Sequence, residues 1–324
     1  MEVVPHEFVD DILCFMETPS VKCMSLMSNT KWSYLADTCA NDRINVCLLI
    51  EAPPSRPEEF EFSLIDLATD EEVAIEQIVL TKPNRVSCTK IAIHGDYLDY
   101  ENRDFWRTVS SRDIVHVVCW ASQFMKQCQL EIDQVDLPRA LPIIAFFHQR
   151  FYFSDLRLMY YNQPFTPLMK EFVEDQVSLN NSNLQNVELE GDMLPASFQN
   201  SIVPLLARKN IPGISVNAMN IVFGFEFFER ILVHWFTLPN PKELESRTVF
   251  AYFDFERERL HNYLSVVDSE DELVLGRRYV GNGAVVSCKI SGLGNCLTLH
   301  FFGCNNEHIS EEDAPLFNDP RLTY

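Results

Sequence analysis

Histidine, cysteine and carboxylate side chains carry most acid–base, nucleophilic and metal chemistry, and in this 324-residue chain they are dispersed. The eight histidines stand at positions 6, 94, 116, 148, 234, 261, 300 and 308, and they do not cluster with the cysteines as a zinc-ligand set. His94-x-Asp96 comes nearest to a metal or acid–base pair, but a lone pair at a strand–turn junction reads first as a structural polar turn. His148 and His234 sit beside aromatics on helical stretches and read as satisfied core or boundary residues. The ten cysteines form no C-x-x-C, so neither a zinc ribbon nor a dithiol redox motif is indicated. Gly281-x-Gly283 and Gly292-x-Gly294 precede no phosphate-binding helix and read as turns, and G-x-S-x-G, P-loop, H-E-x-x-H and dinucleotide fingerprints are missing from the sequence. Paired acids such as Asp10-Asp11 and Glu311-Glu312 fit a solvated surface. The expectation is a non-enzymatic protein without cofactor or metal; the alternative is an enzyme whose catalytic residues are spread over loops.

Charge narrows the partners. Lys and Arg number 26 against 47 Asp and Glu, a formal charge of −21. So acidic a chain is a poor nucleic-acid binder, because phosphate contacts need a basic surface. The apolar stretch Ile221–Phe236 is interrupted by Glu226, Glu229, Arg230 and His234, so no membrane association is expected. The N-terminal MEVVPHEFVDDIL lacks a basic segment before an apolar run, so no secretory signal is expected, and the cysteines read as reduced and mostly buried. The sequon Asn180-Asn181-Ser182 is then expected to remain unmodified.

The elements that must position these residues are clearest in 164–191. Phe165, Leu168, Met169, Phe172, Val173 and Val177 fall at helical spacing. Asn180, Asn181, Ser182 and Asn183 end the helix by competing for backbone hydrogen bonds. Leu184, Val187 and Leu189 then make a short strand closing at Gly191. A helix, a polar turn and a strand in about thirty residues is the size of a solenoid repeat. Similar units continue from about residue 110. Ile114 to Cys128 gives a helical face capped by Ser110 or Ser111, before the strand Leu130–Asp133. A helix from about Pro142 to Phe151 precedes the strand Leu156–Tyr160. Phe198 to Leu206, with Pro204 inside it, precedes Ile214, Val216 and Ala218; Phe223 to Phe236 precedes Val249, Ala251 and Phe253. Strand onsets at Leu130, Leu156, Val187, Ile214 and Val249 lie 26, 31, 27 and 35 residues apart. An open α/β sheet is the competing fold, but it would carry Gly-rich turns at its ligand site.

Before this array, Ile44, Val46, Leu48 and Ile50 alternate as a strand, Pro53 to Pro57 breaks the chain, and Phe60, Phe62, Leu64 and Leu67 and then Val86, Lys90, Ile91 and Ile93 give further strands. After it, Arg277–Ile290 and Leu297–Phe302 read as strands with glycine turns, and the chain closes on an acidic tail. Residues 4–38 carry two or three short helices, too few to bury their apolar faces unaided.

Val4-Pro5-His6-Glu7-Phe8, then Ile12-Leu13, with Trp32 and Leu35 downstream, resembles an F-box, with Val4 in place of the usual Leu and a divergent middle segment. The layout also resembles the nematode-expanded F-box protein family through Phe172-Val173, Gln176-Val177, Asn183-Leu184-x-x-Val187-x-Leu189-x-Gly191 and Pro195; Leu194 stands where that module usually carries Trp. The resemblance implies an α/β (overall α+β) chain with four parts. These are an F-box-like helical segment over 1–42, a strand-rich connecting region over 43–109, an irregular leucine-rich-repeat-like α/β solenoid over 110–255, and C-terminal antiparallel strands with an acidic tail over 256–324. It implies a cytoplasmic or nuclear adaptor in which Pro5, Phe8, Ile12, Leu13, Trp32 and Leu35 dock on a Skp-type subunit of a cullin ubiquitin ligase and the repeats hold an unknown protein substrate. If the core-facing strand residues are Leu130, Ile132, Leu156, Leu158, Val187, Leu189, Ile214 and Val216, alternation turns Glu131, Asp133, Arg157, Glu188 and Glu190 outward as the substrate-binding face. That face should be acidic and prefer a basic protein segment. The same residues also admit a scaffold without ligase function, whose N-terminal helices merely cap the repeats.

Overall fold

The computed structural model describes residues 9, 12–13, 16, 18–26, 30–81, 85–95, 103, 105–160, 165–178, 180–191, 205, 213–237, 247–268, 273–278, 285–290 and 296–302. Pro5, Phe8, Asp96, the two glycine turns of the C-terminal region and the acidic tail lie outside them, as does the expected helix over Phe198–Leu206 apart from the buried, helical Leu205. The protein is mixed α/β and divides into two compact units, Met1–Phe153 and Ser154–Tyr324. The division falls inside the stretch expected to form one repeat module.

The first unit begins with α1 (Thr18–Ser25) and α2 (Thr30–Asp42). Val9, Leu13, Val21, Ala36 and Cys39 form a small core there, with Met16, Met24, Trp32, Leu35 and Ala40 packed against it. Arg43, at the end of α2, ties the chain back to the N-terminal segment: its guanidinium donates to the carbonyls of Met16 at 2.8 Å and Leu13 at 2.9 Å. Next come β1 (Ile44–Glu51), β2 (Glu59–Asp66), β3 (Glu71–Glu72), α3 (Ile75–Leu80), β4 (Val86–His94), β5 (Arg107–Ser110), α4 (Ile114–Ser122), β6 (Met125–Asp133) and α5 (Leu137–Phe147). β1 pairs antiparallel with β2 and parallel with β4, and β4 pairs parallel with β6. β3 and β5 both add antiparallel to β2. Residues 43–109 are therefore part of the same sheet as β6.

The strand period of two sorts the side chains. Leu48, Ile50, Ile91, Ile93, Leu130 and Ile132 are fully buried on one face, as are Ile114, Val118, Ala140, Ile143, Ile144 and Phe147 of α4 and α5. Each Val, Leu, Ile or Phe among them contributes about 1.5–3 kcal/mol on leaving water. The Pro53–Pro57 break is held by Arg139 of α5, whose guanidinium donates to the carbonyls of Ala52 (2.7 Å), Pro53 (2.9 Å), Arg56 (3.3 Å) and Glu59, and lies over the Phe60 ring.

The second unit contains β7 (Asp155–Tyr160), α6 (Pro167–Gln176), β8 (Asn186–Gly191), β9 (Gly213–Phe223), α7 (Phe225–Thr237), β10 (Arg247–Phe253), a 3-10 turn (Arg257–Asn262), β11 (Ser265–Asp268), β12 (Leu273–Arg278), β13 (Val285–Ile290) and β14 (Cys296–Phe302). β7, β8, β9 and β10 are neighbours in chain order, each parallel to the next. β14, β13, β12 and β11 then continue the sheet antiparallel from β10. Leu156, Val187 and Ile214 stand in one register row and Leu158, Leu189 and Val216 in the next, all buried. Thr166 caps α6, its hydroxyl accepting from the Met169 N–H at 3.3 Å, and Pro167 opens the first turn, where a missing N–H costs nothing. At the other end Asn181, itself buried, donates its Nδ2 to the Gln176 carbonyl at 3.0 Å. The asparagine turn thus satisfies an orphan helix carbonyl.

Three boundaries differ from expectation. The helix expected over Ile114–Cys128 ends at Ser122, and Met125 and Cys128 belong to β6, because pairing with β4 overrides a local pattern that also fits a helix. Ser110 does not cap that helix but ends β5: its Oγ accepts from the Asp113 N–H and donates to the Asp113 carboxylate. α5 starts five residues earlier than Pro142, using Pro138 in its first turn and accommodating Pro142 in its interior. The span Arg277–Ile290 is two antiparallel strands, Arg278 facing Val285.

Candidate functional site

The outward strand faces gather the polar residues that alternation turns away from the core. In the first unit the last residues of three parallel strands stand in one row, Glu51 beside His94 beside Asp133, with Glu61 of β2 opposite Glu51. The carboxyl ends of parallel strands are where α/β sheets usually place ligands. Glu51 is fully buried, and Arg103 grips it in a bidentate pair at 2.9 and 3.0 Å while reaching Glu61 at 3.0 Å. The same guanidinium lies 4.5 Å from the centroid of the Trp106 ring. Lys90 closes on Glu131 at 2.8 Å. His94 lies between two carboxylates, Nε2 at 3.6 Å from Glu131 and Nδ1 at 3.9 Å from Asp133, too far for good hydrogen bonds. Burial holds His94 below the usual imidazole range, against the pull of Glu131 and Asp133 and with the help of Lys90.

Close packing fixes this row. The Ala52 N–H donates to the His94 carbonyl at 2.8 Å and the Gly95 N–H to the Asp133 carbonyl at 2.9 Å. A Cβ on Gly95 would stand 2.0 Å from the Gln134 carbonyl oxygen, so glycine is required by proximity. Beneath the row, burial pushes the Cys47 thiol up to about 12, so it is no thiolate nucleophile at neutral pH. Among the described residues no three His, Cys, Asp or Glu side chains converge in the manner of a metal site.

In the second unit Arg157 pairs with Glu188 at 3.1 Å, the two side chains 39% and 41% exposed. One row further along, Met159, Glu190, Asn217, Phe250 and Thr298 stand side by side across five strands. Asn217 donates its Nδ2 to Glu190 at 3.0 Å. Phe250 and Tyr252 share the face, their rings edge to face at 6.1 Å.

The structure thus brings Glu131 and Asp133 together in the first unit and Arg157, Glu188 and Glu190 in the second. Glu131 is buried and held by Lys90, so it offers less charge to a partner than alternation implied. Among the N-terminal residues, Leu13 is fully buried in the helical core, while Ile12, Trp32 and Leu35 are half-buried. Leu26 and Tyr34 are 86% and 68% exposed on the same segment. Arg103 and Lys90 went unrecognised. Lys90 was legible as an outward position on β4, whereas no local signal joins Arg103 to an acid 52 residues away. Compared with family models, curated proteins and solved structures, the chain matches none of them.

Proposed function

We propose that the chain is a protein-interaction adaptor: its N-terminal helices dock on a Skp-type subunit of a cullin ubiquitin ligase, and its outward strand faces hold a protein target in the cytoplasm or nucleus. The observation that carries the reading is the run β7 to β10, four parallel strands neighbouring in chain order with polar side chains half exposed on one face. Chain-order parallel strands are how leucine-rich-repeat-like solenoids present an extended surface, and such surfaces bind proteins. The N-terminal segment supports the other half of the reading. Its small core is already filled by its own side chains, yet Leu26 and Tyr34 remain largely exposed and Ile12 and Trp32 partly so.

The test is co-purification of the full chain with a purified Skp subunit. The variant Ile12→Asp with Leu26→Asp should lose the subunit while its circular dichroism stays that of the parent. Leu13→Asp is the wrong probe, since it breaks the helical core itself. Retention of the subunit by the double variant, or no association of the parent chain, overturns the docking half of the proposal. A second reading, hydrolytic or acid–base chemistry at the strand tips, has the row Glu51, His94 and Asp133 in its favour, but Glu51 is already consumed by Arg103.

A further inference from the structure

Three cysteines of the first unit lie on neighbouring strands, Cys47 on β1, Cys88 on β4 and Cys128 on β6, all of them buried free thiols. Two of them converge. Lys90 and Gln129 are direct partners across β4 and β6, and each carbonyl holds a sulfur: the Cys88 Sγ lies 3.5 Å from the Lys90 oxygen and the Cys128 Sγ 3.4 Å from the Gln129 oxygen. The two thiols are within hydrogen-bond reach of each other. The ladder is irregular at the same place. On both sides of β4 the register shifts at the step from Cys88 to Lys90, against Val46 and Cys47 of β1 and against Met125 and Gln129 of β6. Such bulges leave a residue unpaired and loosen the local ladder, which gives a small reagent a way to otherwise buried sulfur.

The pair is also unequal. Donation from the Cys128 thiol, outweighing burial, holds Cys88 below the usual thiol range. Burial, reinforced by that same hydrogen bond, pushes Cys128 well above it. Thiolate is the nucleophile, so Cys88 attacks first and Cys128 is the resolving thiol. We propose that Cys88 and Cys128 form a peroxide-sensitive disulfide site that ties β4 to β6 within the first unit. The Cys88 sulfur attacks one oxygen of hydrogen peroxide, the O–O bond breaks, and the departing hydroxide recovers the Cys88 proton and leaves as water. The Cys128 sulfur then attacks the Cys88 sulfenic acid; the S–O bond breaks and a second water leaves with the Cys128 proton. Two thiols and one peroxide thus become one disulfide and two waters, with two electrons passing to the peroxide. Cys47, whose thiol is held up at about 12, stays out of the reaction. The site is independent of the adaptor reading, since it draws on neither the N-terminal helices nor the outward face of the second unit.

The experiment treats the folded full chain with hydrogen peroxide, blocks the remaining thiols by alkylation under denaturing conditions, and maps disulfide-linked peptides by mass spectrometry. The Cys88–Cys128 link should form within one chain, exceed every other intrachain link about tenfold or more because proximity raises its effective concentration, and disappear with dithiothreitol. The same treatment in urea should abolish that selectivity. Cys128→Ser should stop at a Cys88 sulfenic acid that a dimedone probe labels, whereas Cys88→Ser should leave Cys128 unlabelled. Both thiols still reduced when the exposed Cys23 and Cys119 are fully oxidised, a link that joins Cys47 to either of them, or equal selectivity in urea overturns the site. Sulfenic acid on Cys128 in the Cys88→Ser variant overturns the assigned roles. The linkage map of the parent chain decides the site even where a serine variant fails to fold.

Discussion

In the first unit Glu51 is fully buried beneath Arg103 and Glu131 is closed off by Lys90; in the second, Arg157 and Glu188 face each other with about two-fifths of each side chain in water. The strands of both units obey the same alternation, and these charges all sit on outward positions. What differs is what covers them. Trp106 and Arg103 lie over the face of β1 and β2, where Cys47, Leu49, Ile65 and Ala92 form a second apolar cluster. The first face is thereby a second core with its charges neutralised internally, and the second is a surface with charges left to offer. Alternation specifies a side of the sheet; it does not specify solvent.

The largest effect that would break this comparison is removal of Arg103. Arg103→Ala leaves Glu51 buried without its guanidinium, and orphaning a buried charge costs about 3–5 kcal/mol. Arg157→Ala in the second unit should cost about 0.2–1 kcal/mol, as exposed ion pairs do. Denaturant unfolding of both variants checks the contrast, which fails if the two substitutions cost the same.

That contrast also marks how much was legible. The alternating runs that became β1, β2, β4, β7, β8, β9 and β10 could be read because each carries its own buried set every second residue. The first half of β6 could not. Met125 and Cys128 also complete a helical stripe with Val118 and Ala121, and only the β4 partner decides between them. Arg103 was invisible for a similar reason, since its meaning lies in acids on β1 and β2 that the chain reaches 42 and 52 residues away. Of the outward residues, Arg157, Glu188 and Glu190 were found from period two alone. Asn217 and Phe250 obey the same period on β9 and β10, but they acquire significance only when register sets them beside Glu190.

Glycine gives a smaller and sharper version of the comparison. Gly95→Ala forces a Cβ to 2.0 Å from a backbone oxygen of Gln134, which has no rotamer to yield. The strand tips must move apart, at about 1–3 kcal/mol for an overpacked site. Gly224, just before α7, would bring a Cβ no closer than 3.9 Å to the Asp254 carboxylate. Gly224→Ala should therefore fall within about 0.5 kcal/mol of the parent, the usual range for a surface change. Equal thermal shifts for the two variants would remove the argument that the tips of β4 and β6 are locked together.

The smallest effect concerns pH and separates the units by their titrating groups. His94 faces Glu51 across β1, Glu131 and Asp133 across β6, and Lys90 on its own strand. Burial outweighs the carboxylates, so the folded imidazole takes up a proton less readily than the unfolded one. Between the unfolded value of about 6.5 and the lower folded value, the unfolded chain binds more protons, so stability rises with pH across that window. The contribution of neutral His94 is complete above the unfolded value and declines as pH falls below it, levelling off once the folded group also titrates. His94→Gln keeps a neutral polar side chain and should flatten this part of the stability profile while leaving the second unit's response to acid unchanged. The check is denaturant unfolding between about pH 7.5 and 5 on parent and variant, a range that brackets the ordinary imidazole value. If the parent instead gains stability as pH falls, Glu131 and Asp133 hold a charged imidazole, and the first face is governed by its ion pairs and not by its burial.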